Sequence, residues 1–385
     1  MVEELVQLCN INSASDNLVG LNAAADHLER IMSYLGSDCK RHRLPSRHWI
    51  DDVGLPQESE TGPALEWSSP ARKGRRVLLA IHYDTVYSVR HALQSCTFLE
   101  NDRIRGPGVI DAKGGIIVLR WALLAGLRFG LLDSLRWTVV LNPDEEIGSH
   151  SSASLWKQIA SLFEFGLLFE PAMADGSLVD SRKGSGNFLW LIRGKSAHSG
   201  RNFSAGRNAI LKTAQLAERL HGLNGQCEGV TLNVGRIHGG GPLNVVPDLC
   251  ALRFNVRVVD MEQMDWVESQ LSIIQAEFSA NEVDYRLECE GGLTSPPKIK
   301  DATTLNWMAK IEAAATTVGQ SIRWKESGGA SDGNKLSALG LPNIDTFGPD
   351  GDCLHSPDEW VDAASLPKKA ALTLSLLAHL GNPVL

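Results

Sequence analysis

Apolar and polar positions follow one another along this chain in blocks that read as strands and helices in turn. Leu18, Leu21, Ala25, Leu28, Met32 and Leu35 recur at helical spacing, with Asp16 placed to cap that helix and Gly36 to stop it. RVLLAIHYDTV (76–86) is almost continuously apolar and ends in polar residues, the pattern of a strand buried on both faces. GPGVIDAKGG (106–115) is a glycine-rich turn leading into an apolar helical segment. SLRWTVVLNPDEE (134–146) is a second buried strand, and FGLLFEP (165–171) is a short third one stopped by Pro171. Residues 41–75, polar and rich in proline and arginine, read as a long connection. Strands alternating with helices predict an α/β fold with a mixed, mostly parallel sheet covered on both faces.

The pattern then changes. A strand at 186–196, a helix at 204–223, two strands around a glycine-rich connection, a helix at 260–280 and a last strand give the order β-α-β-β-α-β. After Pro296 and Pro297 the earlier alternation resumes, with helices near 301–319, 333–339 and 366–380 and strands near 321–325 and 343–347. A chain of 385 residues exceeds what one core usually holds. The expected organisation is a split domain, 1–181 and 294–385, with a ferredoxin-like lid at 182–293 inserted between the pieces.

Composition narrows the classes. Hydrophobic residues at 43% and charged residues at 21% are ordinary for a soluble globular protein. A formal net charge of −8 argues against nucleic acid or an anionic membrane as partner. No apolar run reaches the roughly 18 residues of a membrane span. The seven cysteines are odd in number, scattered and free of any C-x-x-C pair, which fits a reducing cytoplasm rather than a disulfide framework. The first residues show no basic segment followed by an apolar core, so no secretory signal is expected.

Chemistry gathers at the predicted strand ends, where open α/β sheets place function. His82 and Asp84 end the first strand, and Asp111 lies in the glycine turn. Asp144, Glu145 and Glu146 end the second strand, Glu170 the third, and His355 lies in a late loop. His82 and Asp84 are two apart and point the same way, so Asp84 can accept the ring N–H of His82 and hold it as a ligand. Asp111 has two oxygens and can bridge two ions. Glu145 and Glu146 should point apart, one toward metal and the other free as a general base. Taken singly, an H-x-D pair, a doubled Glu or a loop histidine is ordinary structure; two imidazoles and several carboxylates at one kind of position form a metal-ligand set. Calcium or magnesium is disfavoured, because imidazoles are poor partners for hard cations.

With these residues in place the sequence resembles the co-catalytic zinc hydrolase family of glutamate carboxypeptidase, acetylornithine deacetylase, succinyl-diaminopimelate desuccinylase and aminoacylase, and within it the glutamate carboxypeptidase branch. HYDTV, GPGVIDAKGG, NPDEEIGS, FEP, GKSAHSG, the 244–257 stretch, GGASD (328–332) and LHS occur in family order over nearly the whole chain. The resemblance implies two Zn2+ ions per subunit, with cobalt or manganese as substitutes. Asp111 would bridge them, His82 and Glu170 would complete one site, and Glu146 and His355 the other. Glu145 would be general base and acid, Asp84 would orient His82, and the peptide after Asp111 would be cis. His198 would stabilise an oxyanion, often across a dimer interface formed by the lid. Asn244 and Arg257 would hold a substrate carboxylate, and Gly328, Gly329 and Ser331 would line the pocket. Asp144 is left as a solvated residue or a support for the ligands. Ala112 and Asn255 depart from the residues common among relatives, as do the glycines at 239–241 and the length of 41–75.

The implied reaction is hydrolysis of an amide bond to a carboxylate-bearing amino acid, by carboxypeptidase or dipeptidase action. The alternative is deacylation of an N-acyl amino acid, which shares every metal residue. A non-catalytic binding protein of the same fold would have lost ligands, and all five ligand positions and Glu145 are present.

Overall fold

The computed structural model describes residues 1–71 and 73–381, so the last four residues of the expected second piece, 382–385, lie outside the described residues. The central sheet has six strands in the spatial order Lys40–His42, Ala64–Ser68, Arg136–Asn142, Arg76–His82, Phe165–Leu168 and Asn343–Ile344. The last four run parallel, and Ala64–Ser68 pairs antiparallel with both its neighbours, giving the mixed, mostly parallel sheet the sequence predicts.

Successive strand residues point to opposite faces. Val77, Leu79, Ile81, Val139 and Leu141 enter the larger apolar cluster, under helices Val2–Cys9, Leu18–Ile31, Lys113–Arg128, Ala302–Thr317 and Ser365–Gly381. Leu78, Ala80 and Val140 enter a smaller cluster under Ala153–Ile159 and Asp332–Ala338. The helix after the glycine turn begins at Lys113 and lies very close to the sheet. A Cβ on Gly115 would stand 1.9 Å from the Phe169 carbonyl oxygen, so only glycine allows that approach.

Residues Gly184–Ser295 form a four-stranded antiparallel sheet in the order Thr231–Gly239, Leu249–Val258, Gly184–Arg193, Arg286–Ser295. Helices Ala209–His221 and Met261–Asn281 cover one face, where Trp190, Phe254, Val256, Leu220 and Ile274 make a separate apolar cluster. Both helices start on side-chain caps, Asn208 accepting from the Leu211 amide and Asp260 from the Gln263 amide. The element order here is the β-α-β-β-α-β predicted.

Three expectations require correction. The helix at Leu18–Ile31 is capped by the Asn17 side chain, which accepts from the Gly20 amide at 3.1 Å, and not by Asp16. Residues 41–75 are not a bare connection. Lys40–His42 and Ala64–Ser68 extend the central sheet, and Arg47–Ile50 pairs with Pro56–Ser59 as a hairpin. The strand expected at 321–325 is Trp324–Ser327; it pairs in parallel with Leu178–Arg182 in a small sheet of its own. The helix Val2–Cys9 was not expected; it buries Leu5, Leu8 and Cys9 at helical spacing.

Truncating Leu79, fully buried in the middle of the central strand, should cost about 2–5 kcal/mol. Leu79→Ala is therefore expected to lower the urea midpoint for loss of the central sheet; an unchanged midpoint would show that this face is not closely packed.

Candidate active site

The central strand delivers His82, buried, to the carboxyl edge of the sheet. Its Nδ1 lies 3.3 Å from Asp84 Oδ1 and 3.0 Å from the Asp84 carbonyl oxygen, so one side of the ring is tied down by the residue two positions on. Its Nε2 lies 3.1 Å from Asp111 Oδ1 and 3.6 Å from Glu170 Oε2. The other oxygen of Asp111 lies 3.1 Å from His355 Nε2, and His355 Nε2 is 3.2 Å from Glu146 Oε2. Two ligand groups result, His82–Asp111–Glu170 and Asp111–Glu146–His355, each with its donor atoms within 4.8 Å of one another. Asp111 belongs to both. The Asp111–Ala112 peptide is cis.

Asp84 does more than hold His82. Fully buried, its two oxygens accept from the amides of Glu145, at 3.0 Å, and Glu146, at 3.2 Å, and Oδ2 also accepts from Ser15 Oγ at 2.7 Å. One carboxylate thus fixes the histidine ring and the acidic turn together. Asp144 is neither solvated nor turned to the ligands. It is fully buried and accepts from the Ser151 and Ser152 amides and the Ser152 hydroxyl, closing the start of helix Ala153–Ile159. Burial pushes its carboxyl up to about 6.

The electrostatics show what the cluster lacks. Burial, then the neighbouring Asp111, pushes Glu146 up to about 7. Burial and Glu170 push Glu145 well above the carboxylate range, and burial also raises Glu170. Burial opposes the charge on Asp111 too, but the hydrogen bonds from His355 and His82 override it and hold it low. His355 is driven up to about 11 by its hydrogen bonds to Asp111 and Glu146. Burial works against a charged His82, yet Glu170, Asp111 and Asp84 raise it well above its ordinary value. The shifts share one cause: the acids gathered around the two imidazoles favour positive charge at this spot. Glu146 Oε1 is also enclosed without a hydrogen-bond partner. Two imidazoles and three carboxylates converging this way suit a pair of divalent metals of the zinc type.

A cavity of about 370 Å³ opens onto Asp111, Glu145, Glu146, Glu170 and His355. Gly329 and Ser331 line it as expected, and Ser331 also caps helix Asp332–Ala338 while donating to Asp345 at 3.1 Å. Gly328 opens onto an adjoining cavity, and its carbonyl lies 3.5 Å from Arg257 Nη1. Arg257 does not line the metal cavity and donates to the Asn255 side chain at 3.0 Å. His198 and Asn244 are exposed on neighbouring loops of the four-stranded sheet, with the Ser199 amide on the Asn244 carbonyl. Neither reaches the metal cavity. The structure gathers the five candidate ligands, Glu145 and Asp84, and holds His198 and Asn244 apart from them.

Two site residues escaped the sequence reading. Glu359, fully buried, accepts from the amides of Ile110 at 3.0 Å, Asp111 at 3.2 Å and Gly108 at 3.4 Å, and from the Tyr87 hydroxyl. It holds the backbone that carries Asp111; the only hint in the sequence was one acid four residues after His355. Arg182 lines the cavity, donating to Asp345 at 2.8 Å and to the Gly329 carbonyl at 3.1 Å. Its sole signal was a basic residue at a strand end.

A covered α/β sheet with two adjoining groups of candidate ligands at its strand ends is the architecture of a dinuclear metal site, and the family to which the chain belongs makes it a metallo-hydrolase of amide or peptide bonds. The chain belongs to peptidase family M20/M25/M40, whose model matches residues 78–379. It is 27% identical to carboxypeptidase G2 of Pseudomonas sp. strain RS-16 over 99% of this chain and 89% of that protein. It is 25% identical to succinyl-diaminopimelate desuccinylase 2 of Shewanella loihica over 71% of this chain and 76% of that protein. Among solved structures, an M20 family metallo-carboxypeptidase from Sulfolobus solfataricus superposes with a TM-score of 0.76 at 17% identity, over 100% of this chain and 99% of that one.

Three outcomes are expected. Glu359→Gln replaces one of the two carboxylate oxygens that gather three amides, so metal affinity should fall about 10–100-fold, as for other supports behind metal ligands; competition with a chelator measures it, and unchanged affinity would show Asp111 positioned without Glu359. Raised groups add stability that is full below their unfolded values and lost as pH rises through the folded ones. That window runs from 4.5 to about 7 for Glu146 and from 6.5 to about 11 for His355. The metal-free protein should therefore lose thermal stability from pH 5 to pH 9. Metal uptake at pH 7 should release protons, seen as a binding enthalpy that changes with the ionisation enthalpy of the buffer. A binding enthalpy independent of buffer would refute the protonated cluster.

Proposed function

We propose that this protein is a di-zinc exopeptidase that releases a carboxylate-bearing amino acid from a small peptide. The observation that carries the reading is Asp111, each of whose oxygens faces a different imidazole. His82, Asp111 and Glu170 would hold one metal and Asp111, Glu146 and His355 the other. Bound there, the metals supply Lewis acidity toward the scissile carbonyl and a more acidic water.

Glu145 adjoins the ligand Glu146 and opens onto the same cavity. It takes the proton of the attacking water and passes it to the leaving nitrogen. Asp84 keeps the His82 ring and the Glu145 backbone in register. Arg257 offers its two-pronged guanidinium to the carboxylate of the departing amino acid, assisted by Asn244. His198 donates to the oxyanion that develops on the carbonyl. Residues 182–293 serve as a lid and dimerisation domain, hinged near residues 182 and 293. The exposed positions of His198 and Asn244 support their delivery to the active site of a second copy. Seven cysteines free of disulfides fit a cytoplasmic setting. Among the described residues no helix is long and apolar enough to cross a membrane.

N-acyl amino acid deacylation is the second reading, favoured by the relative named as a desuccinylase. Hydrolysis of dipeptides, N-acetyl amino acids and N-acyl glutamates by the zinc-loaded protein separates the two. Glu145→Ala should lower the rate on the accepted class by about 10²–10⁴-fold. Retained turnover in that variant would remove Glu145 from the proton path. Mixing inactive Glu145→Ala with inactive His198→Ala should restore part of the activity, because a mixed dimer has one intact site; no recovery would place His198 in the site of its own chain.

A further inference from the structure

The face of the four-stranded sheet turned away from its helices carries Arg253, Asn255 and Arg257 at alternate positions of one strand. The hairpin built from Arg47–Ile50 and Pro56–Ser59 is laid against this face. Asp52, between its strands, pairs with Arg253 and, at 2.8 Å, with Arg236. Ile50 packs on Leu189, Leu191 and Ala251, and its carbonyl accepts from Arg253 at 3.0 Å. The insertion thereby gains a definite partner surface.

A cavity of about 610 Å³ remains between hairpin and sheet, distinct from the one at the metal ligands. Arg47, Trp49, His150, Asn187 and Asn255 line it, and Glu290, exposed, is the single carboxylate on its wall. Arg47 sets it apart. Its guanidinium stands 4.9 Å over the Trp49 ring, and its Nε is enclosed without a hydrogen-bond partner. Among the described residues no carboxylate pairs with it, whereas Arg253 has Asp52. Burial works against its charge, the buried Asp144 favours it and Arg253 opposes it. A fixed guanidinium with an unmet donor, in a cavity furnished with side-chain amides, suits a carboxylate.

The two cavities share no lining residue, but two links run between their walls. His150 follows directly on the acidic turn that carries Glu145 and Glu146. Arg257, on the same sheet face as Arg253 and Asn255, meets the loop whose Gly329 and Ser331 line the metal cavity. We propose that this groove is a second anion subsite, in which Arg47 receives a carboxylate carried on the acyl side of the substrate while the amide lies at the metal ligands. The assignment rests on the amide-hydrolase reading above and adds a selectivity to it: acyl groups that end in an acid are preferred to their neutral counterparts.

The test uses the zinc-loaded full chain and a series of N-(ω-carboxyacyl) amino acids, succinyl to suberyl, each beside the acyl analogue ending in methyl. The acid-to-neutral ratio of kcat/KM should be greatest at one chain length. At that length it should fall at least tenfold in Arg47→Gln, mainly through KM, and recover in part in Arg47→Lys. A ratio that Arg47→Gln leaves unchanged overturns the proposal, even if free glutarate binds elsewhere. If no member of the series is hydrolysed, the function reading fails separately, and calorimetric affinities of the series decide the subsite. There, a loss in Arg47→Gln confined to the acids supports it, and an equal loss for both sets, or no binding at all, overturns it.

Discussion

One carboxylate shared by two imidazoles is the constraint on which the rest of the arrangement depends. Asp111 can face both His82 and His355 only if its backbone stands between the central strand and a loop far along the chain. Glu359 makes that position possible by gathering three amides of the glycine turn, and Gly115 does so by letting the following helix lie against the end of the third strand. A buried acid without such support would protonate rather than stay charged. Here the hydrogen bonds from His355 and His82 override burial and hold it below the usual carboxylate range.

The ligands were legible because each follows a run of apolar residues that can only be a buried strand, or sits in a turn rich in glycine. Their common position at the sheet edge then follows from the fold. Glu359 and Arg182 were not legible, since each acts through partners brought near only by tertiary structure, and a lone acid in a polar loop has no periodicity to betray it. Asp144 misled for the opposite reason. Three adjacent acids look alike in a sequence, but Asp144 turns into a helix start while its neighbours turn to the cavity. Residues 41–75 misled because their strands are short: Lys40–His42, Arg47–Ile50 and Pro56–Ser59 are half-exposed, and Ala64–Ser68, though largely buried, has only five residues. The choice between Asn17 and Asp16 as helix cap was a matter of one residue, the usual uncertainty at a helix end.

The four-stranded sheet contributes differently from its two faces. One face is closed by helices and makes an apolar core. The other is charged, and it is steadied by the hairpin that the sequence presented as a connection. Arg253 and Arg257 lie four residues apart on one strand, yet the first is committed to Asp52 while the second reaches toward the loop beside the metal cavity. Strand alternation lets one short segment anchor an insertion at one end and meet the loop beside the metal cavity at the other.

The two ligand groups also differ in when they can exist during synthesis. His82, Asp111 and Glu170 all lie in the first half of the chain, and the strands that lead to His82 and Glu170 neighbour one another. His355 and Glu359 emerge from the ribosome long afterwards. A nascent chain can therefore assemble one complete group of ligands while Asp111 still lacks both its second imidazole and the acid that fixes its backbone. A metal captured early would sit at the His82 side, and filling of the second position would have to wait for the return of the chain to the sheet edge.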